Sequence, residues 1–162
     1  MNAAHLHIIL VHIPIVLVPT ATILLAFGLL RRQGAVVSVA LWLFVGASLC
    51  AIPAYLIGED AAEMVEEIPG ISEDTIEEHE EAADIAFWLT ILVGATAASS
   101  IVLRTRVPRL THTALKALVA AGAIASSTLA YTAYEGGKIR HPEAYDTTAS
   151  SKHESEREQD ND

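Results

Sequence analysis

The sequence predicts an all-α integral membrane protein, a four-helix bundle running up-down-up-down with both termini outside (N-out, C-out). Three observations carry that prediction: four long apolar stretches, charge confined to the segments between them, and cations separated from anions among those segments. The chain of 162 residues is 52% hydrophobic with a net charge of -10, and a soluble domain of that size would scatter its charges. Here no Asp, Glu, Lys or Arg occurs in 13–30, 33–58, 85–103 or 117–134. Each stretch reaches the roughly 18 to 20 residues a helix needs to cross about 30 Å of hydrocarbon. One membrane domain over 1–142 follows, with a polar tail after it.

Span one, about 7–30, opens without the marks of a cleavable signal. Met1–Leu6 holds no Lys or Arg, and no small-x-small cleavage site follows the apolar run. Pro14 and Pro19 each remove a backbone donor and release carbonyls near Leu10 and Ile15, which favours a kink. Span two, about 35–57, contains the single cysteine, Cys50, which has no intrachain partner and reads as a packing residue. The segment from Glu59 to Glu81 carries acids and no Lys or Arg. Ile68-Pro-Gly-Ile71 splits it, and Ser72 with Asp74 and Thr75 reads as a helix start continuing into span three, about 82–103. Spans three and four, the latter about 113–134, are rich in Gly, Ala and Ser. Their Gly94-x-x-x-Ala98 and Gly122-x-x-x-Ser126 spacings let backbones approach closely, and read as packing within the bundle. Gly136-Gly137 beyond span four reads as a flexible turn. No repeat of about 20 to 50 residues is apparent, although two successive hairpins leave room for a diverged one. Residues 143–162 lack apolar periodicity and are expected to form a disordered acidic tail.

Arg31 and Arg32 join spans one and two, while Arg104, Arg106, Arg109 and Lys116 flank the link between spans three and four. That cation excess assigns both links to the cytoplasm and the acidic segment to the outside. A multi-pass protein of a prokaryotic cytoplasmic membrane is the expected location, with the lipid bilayer as its first partner. Tyr55, Trp88, Tyr131 and Tyr134 fall near the outer span ends, where amphipathic rings favour headgroup depth. The acids read as a solvated surface, with cation concentration or a saline habitat as alternatives.

The chemistry-bearing residues are histidines. His12 lies inside His7-Ile-Ile-Leu-Val-His-Ile-Pro-Ile15, and an imidazole below the bilayer edge needs a hydrogen-bond partner or a metal, since lipid supplies neither. At about 100 degrees per residue His5 and His12 share one helix face, whereas His7 points roughly 140 degrees from His12. His79 before span three and His141 after span four lie on the same outward side; His112 sits at the cytoplasmic end and His153 in the tail. Imidazoles from separate helices suit bis-histidine haem b, with His12 and His79 the first axial pair, His7 and His141 the second, and Lys138 and Arg140 for the propionates. A zinc or copper site could instead draw on His5, His7 and His79 with Asp60 or Glu78. The third reading has no cofactor, only interface histidines bonded to loop carboxylates.

Other classes are harder to reach. The spans lack the series of ionisable residues that pumps and ion-coupled transporters string through the bilayer, and no G-x-x-x-x-G-K-[ST], G-x-S-x-G, C-x-x-C or H-E-x-x-H occurs. No nucleic-acid partner is expected and no catalytic residue is assigned.

His7-Ile-Ile-Leu-Val-His-Ile-Pro-Ile15 resembles the H-x-x-L-V-H-F-P-I signature of a prokaryotic family of predicted membrane proteins, domain of unknown function 2231. An acidic loop with a histidine before the third span, here His79, and a fourth span ending in Gly136-Gly137 are similar to the family's other marks. The resemblance covers about 5–142. It departs at Ile13, where Phe is usual, at Ile8, where Pro is common, and in Lys138-Ile-Arg-His-Pro-Glu143 after the glycines. Carried over by position, it singles out His7, His12, Pro14, His79, Gly136 and Gly137, and it implies a redox neighbourhood, since members occur near or fused to redox proteins. The function expected is electron transfer from a membrane donor to an exported acceptor through haem b or a transition metal. A structural or assembly subunit is the alternative and a metal-ion permease the third, with oligomeric state left open.

Overall fold

The structure, a computed structural model, describes residues 2–66, 68, 71–104, 106–141 and 145. The tail expected over 143–162, with His153, lies outside them apart from Tyr145, as do Pro69, Gly70 and the side chain of Arg109. Five helices follow in order: α1 Ala3–Leu30, α2 Gly34–Leu56, α3 Gly58–Glu66, α4 Glu73–Leu103 and α5 Pro108–Arg140. Among the described residues there is no strand.

Four of the five are long and apolar enough to cross a membrane: Ala3–Leu30, Gly34–Leu56, Glu73–Leu103 and His112–Arg140. Their outward faces are as apolar as their inward ones. Val18, Ala21 and Leu25 of α1 are fully buried, yet Val16 and Ile23 on the same helix are 59% and 69% exposed, as are Trp42 (62%) and Trp88 (64%) on α2 and α4. Helices apolar all round belong in lipid.

Local signals set the ends. The Asn2 side chain accepts the His5 N–H at 3.0 Å and caps α1. Ser72 precedes α4, whose first turn holds Glu73 and Asp74 against the positive end of the helix dipole. Pro108 opens α5, where its missing N–H costs nothing. Helix α1 runs unbroken through Pro14 and Pro19, and Pro14 is buried. The acidic segment adds an unforeseen element, since its first half coils into α3, buries Ala61 and packs mainly on α1. A second correction concerns Gly136 and Gly137. They do not form a turn, because α5 continues through both to Arg140.

Around the bundle α1 packs on α2 and α5, and α4 packs on α2 and α5, leaving α1/α4 and α2/α5 as diagonals. Phe44, Leu41, Leu118 and Val93 fill the centre. The two hairpins repeat a burial pattern. Pro14, Val18, Ala21, Leu25 and Gly28, the buried residues of α1, map at a spacing of 72 onto Ala86, Thr90, Val93, Ala97 and Ser100 of α4, all buried. At a spacing of 78, Ala40, Phe44, Ala47 and Ala51 of α2 map onto Leu118, Gly122, Ala125 and Leu129 of α5, again all buried. Hairpin α1–α2 and hairpin α4–α5 therefore repeat much of one burial pattern, α4 taking the place of α1 and α5 that of α2.

Candidate functional site

At the end of the bundle away from Arg31, Arg32, Arg104 and Arg106, the two hairpins carry the same device. His7 of α1 bonds through Nδ1 to the Ala54 carbonyl of α2 at 2.9 Å, and its ring lies over Gly58, where a Cβ would stand 3.5 Å from Cε1. His79 of α4 bonds through Nδ1 to the Thr132 carbonyl of α5 at 3.0 Å, and its ring lies over Gly136, where a Cβ would stand 3.1 Å from Cε1. Histidine, carbonyl and a glycine four residues beyond the carbonyl recur at the spacings of 72 and 78 that relate the buried faces. This fixes the register of the repeat, which helical periodicity alone leaves ambiguous by a turn.

The hydrogen bond fixes the tautomer. A carbonyl only accepts, so each Nδ1 carries a proton, and in the neutral ring the lone pair is on Nε2. Both imidazoles are half-buried, and no hydrogen bond engages either Nε2 among the described residues. The two rings stand on the diagonal helices α1 and α4. An imidazole oriented through Nδ1–H on a backbone carbonyl is the form in which histidine binds metals through Nε2.

The other expected residues lie around this pair rather than in it. His12 is on the exposed face of α1 and its Nδ1 bonds the Ile8 carbonyl of its own helix, so its polar requirement is met locally. His5 is exposed on that side too, as the seven-residue spacing from His12 demands, and lines a groove of about 220 Å³ with Asn2, Met64, Ile68 and Arg140. His141 is exposed, and its N–H caps α5 on the Gly137 carbonyl. Asp60 is exposed on α3, and Glu78 is exposed on α4. Among the described residues no group of three His, Cys, Asp or Glu side chains stands close enough to hold a metal ion. Gly137 has its own reason for lacking a side chain, because a Cβ there would meet the Tyr145 hydroxyl at 2.5 Å.

One residue at this end escaped the sequence reading. Glu135, on the turn before Gly136, is 1% exposed. Lys138 Nζ lies 2.7 Å from its Oε2 and 3.6 Å from Glu78 Oε2. Burial of a carboxylate is tolerated only with such a counter-charge. The signal was present in sequence as Glu135 and Lys138 at i, i+3 bracketing the glycine pair. Across the bundle Tyr55 donates to Asp84 Oδ1 at 2.8 Å and stacks on Phe87 at 4.1 Å, tying α2 to α4.

The model of one protein family, described as predicted membrane protein (DUF2231), matches residues 3–147, which takes in all five helices and both histidines. No curated protein and no solved structure matches the chain.

Proposed function

We propose, from the premise that this chain belongs to the DUF2231 family of predicted membrane proteins, that it is a four-span electron-transfer component whose His7 and His79 hold a redox cofactor. The arginine end faces the cytoplasm and the histidine end faces outward in a prokaryotic cytoplasmic membrane, in keeping with the positive-inside rule. One observation carries the reading: both imidazoles are locked by Nδ1–H on a carbonyl, with Nε2 lone pairs unspent, at the same end of two equivalent hairpins.

The donor set favours haem b over a bare transition metal. Two imidazoles complete the coordination of an iron whose four equatorial nitrogens come from a macrocycle, whereas zinc or copper needs three or four protein ligands. Such a group supplies one-electron redox chemistry. The chain's own part is to orient the two rings, to give them an apolar surround and to offer a cation for propionates. Arg140 is the better candidate for that contact, since Lys138 is already committed to Glu135 and Glu78. His12, exposed and bonded within its own helix, becomes the second-choice ligand, with His141.

The test is an oxidised-minus-reduced spectrum with metal analysis on protein purified in mild detergent after haem-sufficient expression. A Soret band that disappears in His7→Ala and His79→Ala and persists in His12→Ala is the expected result. A colourless, metal-free preparation leaves the second reading, a structural or assembly subunit. In that reading the two histidines are clamps that pin α1 to α2 and α4 to α5, a role their carbonyl bonds already support.

A further inference from the structure

We propose that the groove between α1 and α5 at the arginine end binds the headgroup of a phospholipid of net negative charge. The groove, of about 520 Å³, is lined by the apolar Ala26, Leu29, Leu30 and Val119 and by the exposed Arg32, His112 and Lys116. An apolar channel with cations at one end has the chemistry of a lipid's acyl chain and phosphate. It opens at the span ends, where headgroups lie. His112 and Lys116 are one helical turn apart and so share a face. No Asp or Glu occurs in 31–58 or 85–134, so no carboxylate from the adjoining loops neutralises this rim.

The internal repeat supplies a control within the same molecule. At spacings of 72 and 78, Arg32 corresponds to Arg104 and Lys116 to Ser38, on the α4–α2 side of the bundle. There the pair is satisfied: Arg104 Nη1 donates to Ser38 Oγ at 2.7 Å. On the α1–α5 side the serine's place is taken by a second cation, and Gly34 is replaced by His112. Two like charges line one groove where the other hairpin pair has a donor and an acceptor. An anion between them turns that repulsion into two charge-assisted bonds.

The backbone adds an independent sign. Arg32 has φ 55, in the left-handed region, and is the first residue beyond the α1 cap. Its N–H bonds Leu29 O and the Gln33 N–H bonds Gly28 O, the Schellman pairing whose left-handed position favours glycine. An arginine held there against backbone preference points to a task for its guanidinium.

Native mass spectrometry from equimolar phosphatidylglycerol and phosphatidylcholine tests the proposal. Wild-type protein is expected to retain phosphatidylglycerol preferentially. Arg32→Gly and Lys116→Gln should each reduce that preference roughly fivefold, the ratio that about 1 kcal/mol per juxtamembrane cation corresponds to. Arg104→Gln should leave it unchanged. Arg32→Gly suits the backbone, so a folded sample is assured, and its unfolding midpoint in SDS should not fall. Inorganic phosphate in millimolar excess should fail to displace the lipid. Equal retention of the two lipids, an Arg104→Gln effect as large as that of Arg32→Gly, or full displacement by phosphate would overturn it.

Discussion

Adding one methyl group at Gly94 should separate α2 from α4. A Cβ built there would stand 1.8 Å from Ser48 Oγ and 2.4 Å from Ser48 Cβ, and 3.3 Å from the Phe44 carbonyl. A rotamer change can move Oγ, but it abandons the 2.6 Å hydrogen bond from Ser48 to the Thr90 carbonyl, worth about 0.6 to 1.7 kcal/mol in a membrane helix pair. No rotamer moves Cβ. The helices must then part by about 1 Å to restore ordinary contact, an overpacking that costs roughly 1–3 kcal/mol. Alanine's helix propensity returns about 1 kcal/mol. The balance is a loss on the order of 1–3 kcal/mol for Gly94→Ala. Unfolding in SDS mixed micelles, followed by the fluorescence of Trp42 on α2 and Trp88 on α4, measures it. Ser48→Gly removes both clashing atoms, so in that background Gly94→Ala should cost less than about 1 kcal/mol, a coupling that a double-mutant cycle isolates. Wild-type stability in Gly94→Ala, or an equal loss with and without Ser48, would refute the close approach.

Three further outcomes follow from the histidine end and its surroundings. His7→Ala and His79→Ala each delete one interhelical hydrogen bond, so each should cost about 1 kcal/mol and the two should add when no cofactor is present; a coupling well above about 0.5 kcal/mol in cofactor-loaded protein would mark a shared ligand. Glu78→Gln removes only the longer, exposed arm of the Lys138 pairing and should change stability by less than about 1 kcal/mol, whereas Lys138→Met strands the buried Glu135 carboxylate and should lower the SDS midpoint clearly further. Gly58→Ala should be tolerated because its Cβ meets the His7 ring at ordinary contact distance, while Gly136→Ala must push the His79 ring by a few tenths of an ångström; a Soret shift confined to Gly136→Ala would be the spectroscopic sign.

The spans, their order and the helix start beyond Ser72 were legible because apolar length and charge confinement are one-dimensional properties. So was the divergence of His7 from His12, since α1 is regular from Ala3 and helical phase alone decides it. The repeat was hidden for a physical reason. The spacing is 72 between the first helices of the two hairpins and 78 between the second, so no single period aligns both. The core also exchanges bulk between copies, with Phe44 answering Gly122 and Thr22 answering Gly94. What is retained is the close contact. Gly94 faces Ser48 and the Phe44 backbone on one side, and Gly122 faces Thr22 on the other. Glu135 was missed because an acid at a span end looks solvated in sequence; only the packing of α5 shows it 1% exposed. His12 drew attention for its apolar neighbours, yet those neighbours face lipid, and the half-buried imidazole is His7.

Where two copies of a unit are kept, the positions at which they agree and disagree sort structure from chemistry. Both hairpins hold a histidine by Nδ1 on a carbonyl over a glycine. An interaction that serves folding alone has many substitutes at a helix pair, as Thr22 against Gly94 and Phe44 against Gly122 demonstrate within this chain. Recurrence of the same imidazole twice, between hairpins that differ in most of their core residues, supports the proposed ligand, which needs one donor from each side. At the opposite end the copies part company, with Arg104 bonded to Ser38 and Arg32 facing Lys116. The two proposals then place different demands on the two ends: a ligand shared by both hairpins at the first, and a lipid in one groove of the pair at the second. Swapping the groove chemistry, Lys116→Ser with Ser38→Lys, should move the phosphatidylglycerol preference to the α4–α2 side, so that it becomes sensitive to Arg104→Gln and indifferent to Arg32→Gly. If the double exchange instead leaves the original sensitivity to Arg32 in place, the groove's charge pair is not what selects the lipid.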